Sequence, residues 1–167
     1  MELFVRGKTL ESILDAAEKV DRALQGGAAM VGATVEIEDY PGYLPLVQDP
    51  ILNECFLANA EELVGTDNVF RSGHMKASTD TGDVSRLIPV VHPSGGGFAG
   101  TLHNESFSVV DEEMAYVLPA KALAMTVVDL LCDGATVAQR ALDAFTPTLT
   151  KDEYLNYLRG GGLPEKK

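Results

Sequence analysis

Thr34-Val35-Glu36-Ile37-Glu38 alternates apolar and charged side chains with a period of two, the pattern of a strand with one buried face. Upstream, Leu3-Phe4-Val5 reads as another strand. Between the two, Thr9 is placed to cap a helix. Leu10, Ile13, Leu14, Ala17, Val20 and Leu24 fall on one face of that helix, with Glu11, Asp15, Glu18, Lys19 and Asp21 opposite. Gly26-Gly27 is expected to stop it. The opening of the chain therefore reads β-α-β, a unit that needs further sheet to bury its strand pair. Pro41-Gly42-Tyr43-Leu44-Pro45 then breaks regular structure and marks the best boundary.

Beyond it, Asp49-Pro50 is a capping residue followed by proline at the first helical position, predicting a helix to about Val64 closed by Gly65. Leu52, Cys55, Phe56, Asn59, Ala60 and Leu63 lie near one face of it. Short strands are expected at Val69-Phe70, over Leu87 to His92, and over Phe107 to Val110. Pro119 opens an apolar helix carrying Ala120, Leu123, Ala124, Val127, Val128 and Leu131, which Gly134 is expected to end. The breadth of its apolar face predicts a core helix. A further helix is expected to finish before Pro147, and Thr150 with Glu153 forms a capping box for a last one.

The chain has 167 residues, 46% hydrophobic and 23% charged, which fits a soluble globular domain. Its formal net charge of -12 argues against nucleic acid or an anionic membrane as partner. Cys55 and Cys132 match no zinc spacing and lie in apolar helical stretches, so buried free thiols in a reducing, cytoplasmic setting are expected. No apolar run reads as a membrane span and no signal peptide is evident.

Residues 77 to 107 gather the groups that carry chemistry. Asp80, Asp83, His92 and His103 surround Gly95-Gly96-Gly97. Carboxylates and imidazoles on glycine-bent loops suit a metal or acid–base site. Each also has a plainer reading. Asp80 can cap the turn at Gly82, Asp83 can cap a helix, and His92 can be a satisfied loop histidine. The glycines can bring backbone N–H groups to a carboxylate or simply connect two strands tightly. His74 reads as a surface residue. No serine has a partnered base in a nucleophile elbow.

The order of motifs resembles the M20 family of metallopeptidases and amidohydrolases. Val5-Arg6, the helix with Glu18-Lys19-Val20-Asp21-Arg22-Ala23, and Val35 through Pro45 are similar to the second half of that family's lid, or dimerisation, domain. Ser78-Thr79-Asp80-Thr81-Gly82-Asp83-Val84-Ser85 with Pro89, His92 and Pro93 is similar to the subgroup containing aminobenzoyl-glutamate hydrolases. Leu102-His103 followed by Phe107 resembles the family's C-terminal histidine motif, and Tyr116 to Leu131 also matches.

The resemblance implies an α/β fold: a partial lid β-α-β unit over 1–45, the C-terminal part of a zinc-peptidase-like α/β catalytic domain over 46–160, and a flexible tail over 161–167. It implies hydrolysis of the amide bond of N-acyl amino acids or dipeptide-like substrates by a metal-activated water, with zinc or manganese as the divalent metal. His103 takes the place of the family's last metal ligand, and Asp83, His92 and Asp80 line the substrate pocket. Where many relatives carry Glu-Asp-Phe, this chain reads Gly82-Asp83-Val84, so the motif's glutamate is absent. The remaining metal ligands and the catalytic glutamate belong to the family's N-terminal region. The expectation is therefore a C-terminal fragment or subunit, beginning inside the lid and inactive alone, which associates with itself or with an N-terminal partner chain. The alternative is a non-catalytic interaction or oligomerisation module derived from the same family.

Overall fold

The computed structural model describes residues 1–73 and 77–161. His74 and residues 162–167 of the expected tail lie outside them. Among the described residues the chain is mostly helical, 53% helix and 3% strand. It has five α-helices and one two-strand hairpin. This overturns the expected α/β architecture, both the partial lid unit and the zinc-peptidase-like sheet. Neither residues 3–5 nor residues 34–38 form a strand. A period-two pattern becomes a strand only where another backbone edge takes up its N–H and C=O groups, and no ladder is built on either segment. The expected strands at 69–70 and 87–92 are also absent. Of the expected strand over 107–110, Ser108–Val109 forms as β2, antiparallel to β1, Phe98–Ala99.

The chain divides into two compact units. The first comprises Met1–Leu46, Gly73–Leu87 and Thr148–Lys167. It contains α1, Leu10–Met30, the single turn α3, Thr81–Val84, and α5, Lys151–Leu158. Thr9 caps α1 as expected, accepting from the Ser12 N–H at 3.2 Å. Gly26-Gly27 does not stop the helix. It continues through Ala28, Ala29 and Met30, good helix formers, and the chain turns at Gly32 with φ +69. No residue of α1 is buried.

What holds this unit together is a polar knot of three segments. Leu44 and Leu149 are its buried apolar residues, and Asp83 and Ser85 are buried with them. Thr148 N–H donates to the Arg86 carbonyl at 3.0 Å, tying the approach to α5 to the end of the α3 turn. Arg86 Nη2 donates to the Pro45 carbonyl. Gly82 is required here: a Cβ would collide with the Leu44 carbonyl oxygen. Thr150 and Glu153 form the expected capping box on α5, with Glu153 Oε2 accepting from the Thr150 N–H at 2.7 Å.

The second unit comprises Val47–Ser72 and Ile88–Pro147. Its frame is α2, Pro50–Val64, packed on α4, Leu118–Ala144, with a π turn at Glu113–Val117 leading into α4. Asp49 caps α2 by accepting from the Leu52 N–H at 2.9 Å, and Gly65 ends it. Within α4, Asp133, Gly134 and Ala135 are all left-handed (φ +49, +70 and +59), so it is two helical pieces joined at a break. The sequence had placed the first helix's end at Gly134.

The expected core role of this helix is not realised. Only Ala122, Thr126 and Ala141 of α4 are buried. Leu123, Val127, Val128 and Leu131 are 47, 52, 57 and 66% exposed. The stretch Glu113–Ala144 is also long and apolar enough, by length and composition only, to cross a membrane.

Phe4, Met30, Val31, Phe70 and Leu102 are also exposed, along with the α4 stripe.

Candidate functional site

His103 sits in the loop of the β1–β2 hairpin. Two local bonds shape that loop: Asn104 N–H donates to the Thr101 carbonyl at 3.1 Å, and Ser106 N–H donates to Asn104 Oδ1 at 3.0 Å. Phe98 and Phe107 stack at its base, ring centroids 5.1 Å apart and 13° from parallel. The hairpin closes at Gly100, φ +84, where a Cβ would meet the Ser106 carbonyl. His103 itself is exposed and left-handed, φ +60. Histidine is one of the few side chains enriched in that region.

Asp83 is 5% exposed and central to the first unit. Its Oδ1 accepts from the Leu44 N–H at 2.7 Å and its Oδ2 from the Tyr154 hydroxyl at 3.2 Å. Asp83 lies inside the α3 turn and not at its cap position, which Asp80 holds. Burial lowers the Arg86 pKa, and the charge of Asp83 opposes that shift. Burial first, then Asp83, pushes the Tyr154 and Tyr157 phenols up. Asp80 is exposed, makes no side-chain cap, and accepts from the Thr79 hydroxyl at 3.2 Å.

His92 is half-buried in the second unit, its backbone N–H donating to Gln48 Oε1 at 2.7 Å. The glycine run belongs to the same unit. Cβ atoms at Gly95, Gly96 and Gly97 would press on Pro119, Met114 and Ala115. Gly97 (φ +88) also accepts from the Val110 N–H at 2.9 Å. The run brings backbone against the π turn and the start of α4; it leads into β1 but joins no two strands, since residues 87–92 form none.

Asp80 and Asp83 thus share the first unit, while His92 and His103 share the second. Among the described residues no three His, Cys, Asp or Glu side chains are grouped to hold a metal ion. A catalytic zinc needs about three protein ligands. Among the described residues His103 offers a single imidazole and no such set of ligands.

A second cluster went unread in the sequence. Asn59, buried on α2, donates to Asp129 Oδ2 at 2.7 Å and to the Thr126 hydroxyl at 3.3 Å on α4. The Cys55 thiol lies 3.9 Å from the same Asp129 oxygen. Desolvation first, then Asp129, raises the Cys55 pKa. Beside this cluster opens a cavity of about 390 Å³ lined by Glu54, Cys55, Asp129, Cys132, Asp133 and Arg140, among others. The signal was available: a polar Asn59 on an otherwise apolar helical face requires a hydrogen-bonding partner. The thiols correct the expectation of burial, Cys55 being half-buried and Cys132 exposed.

No protein-family model, curated protein or solved structure matches the chain.

Proposed function

We propose that this chain is one component of a composite metal-dependent amidohydrolase that acts on N-acyl amino acids or dipeptide-like amides. It contributes His103 as a single ligand, together with apolar docking surface, and a partner chain supplies the other ligands and the catalytic glutamate. The observation that carries the reading is the surface left open: an apolar stripe on α4, Leu123, Val127, Val128 and Leu131, each 47–66% exposed. The hydrolytic chemistry is supported by the ordered resemblance of residues 78–93, 102–107 and 116–131 to M20 enzymes. The left-handed, exposed His103 at the tip of a hairpin is available to a site completed by another chain.

The test is co-expression with the product of the reading frame upstream of its gene, followed by co-purification, zinc and manganese analysis, and assay on N-acyl amino acids. The expected result is a stable complex that binds metal and hydrolyses substrate, with activity lost in His103→Ala while the complex still forms. Full activity in His103→Ala removes His103 from the metal. A chain that purifies as a stable monomer, without a partner and without dye-binding apolar surface, overturns the composite reading.

A second reading is a non-catalytic interaction or oligomerisation module derived from the same family, which the exposed apolar stripe on α4 equally supports. It predicts the same complex with no hydrolysis and no dependence on His103.

A further inference from the structure

Cys55 and Cys132 lie on different helical elements of the second unit yet line the same cavity of about 390 Å³. Cys55 Sγ lies 3.9 Å from the Asp129 carboxylate. Asp129 and Cys132 are three apart on α4, a spacing that places side chains on one helix face, neighbours within about 6 Å at Cβ. Cys132 is also where α4 stops being helical: its ψ is 166, and three left-handed residues follow. The backbone there is not locked into a helical ladder on its C-terminal side, so it can adjust toward the narrow range a disulfide demands.

We propose that Cys55 and Cys132 form a thiol pair that closes to an intramolecular disulfide on reaction with a small-molecule disulfide. The exposed Cys132 attacks first. Its thiolate displaces one thiol from the reagent and forms a mixed disulfide. Cys55 then attacks the Cys132 sulfur and displaces the second thiol. One sulfur–sulfur bond is made and one is broken. The protons lost by the two cysteines end on the two released thiols, and the reagent is the species reduced. The order follows from access, and from the upward shift that desolvation and Asp129 impose on the Cys55 thiol, which leaves less thiolate there to begin the exchange. Closure ties α2 to the first piece of α4, at the break.

The full chain is incubated with oxidised glutathione, quenched with acid and measured by intact mass and by non-reducing tryptic mapping. The expected product is a monomer lighter by about two mass units, with Ala23–Arg71 linked to Ala122–Arg140. Closure should be at least roughly tenfold faster in buffer than in denaturant, because the fold raises the effective concentration of one thiol at the other. Cys55→Ser should accumulate glutathione on Cys132, and Cys132→Ser should react more slowly at Cys55. Independent glutathionylation of both cysteines, a disulfide-linked dimer as the main product, or equal rates in buffer and denaturant each overturns the proposal. Circular dichroism of both serine variants confirms that the comparison is between folded chains.

Discussion

The Tyr154 hydroxyl donates to Asp83 Oδ2 at 3.2 Å, joining residues 71 positions apart. Asp83 Oδ1 meanwhile accepts from the Leu44 N–H. A residue whose sequence context suggests a pocket wall is thus the fastening of three chain segments. Asp83→Ala leaves a buried N–H without a partner, and is expected to destabilise the first unit by about 1–3 kcal/mol. Tyr154→Phe, which removes one neutral donor, should cost about 1 kcal/mol. Urea unfolding of the two single variants and the double should show non-additive losses. Additive losses would mean that the two side chains do not share an interaction.

Stability is expected to fall in alkali. Tyr154 and Tyr157 have folded pKa values raised above the unfolded value of about 10. Their contribution is therefore fully present below about pH 10 and is lost as pH rises through the folded values, because the unfolded chain releases its protons first. Unfolding free energy measured from about pH 8 to 11.5 should decline above 10. Tyr154→Phe with Tyr157→Phe should flatten that decline, and an unchanged slope would assign it to other groups.

Gly82→Ala should be among the most damaging small substitutions in the chain. The new methyl would overlap the Leu44 carbonyl, a backbone atom that cannot rotate away. Overpacking of this kind costs about 1–3 kcal/mol. Differential scanning calorimetry should show a clear fall in Tm for Gly82→Ala and a small rise for Gly26→Ala, since Gly26 lies inside α1 with nothing within 4 Å of a Cβ and alanine suits a helix interior better than glycine.

His103→Gly separates backbone from side chain. At φ +60 a non-glycine residue carries strain of about 1 kcal/mol, which glycine relieves. The variant is expected to be as stable as the parent or up to about 1 kcal/mol more so. On the composite reading proposed above, a complex formed by this variant should nevertheless lose metal-dependent hydrolysis. A variant that loses stability but keeps activity would reverse both assignments.

Thr150→Ala removes the side chain that accepts from the Glu153 N–H at 3.2 Å. It should destabilise α5 by about 1 kcal/mol. Amide exchange should speed up in the first turn of α5 and not in α2, whose cap is Asp49.

The local signals in this chain determined local structure. Asp49-Pro50 and Gly65 bounded α2, Thr150 and Glu153 started α5, Thr9 started α1, and Gly134 marked the break in α4. Each depends on groups within a few positions of one another, so a linear reading reaches them. Strand pairing and burial were decided elsewhere. Val35 and Ile37 alternate correctly, but a strand exists only when a distant edge supplies its hydrogen bonds. Leu123, Val127, Val128 and Leu131 have the spacing of a core stripe, but spacing cannot say whether anything covers it. For the candidate site, the sequence singled out Asp83 and His103. Only the tertiary structure separated them into a buried fastening and an exposed hairpin residue, and only it joined Asn59 to Asp129 and placed Asp129 and the two thiols around one cavity, because those contacts join residues that no local pattern links.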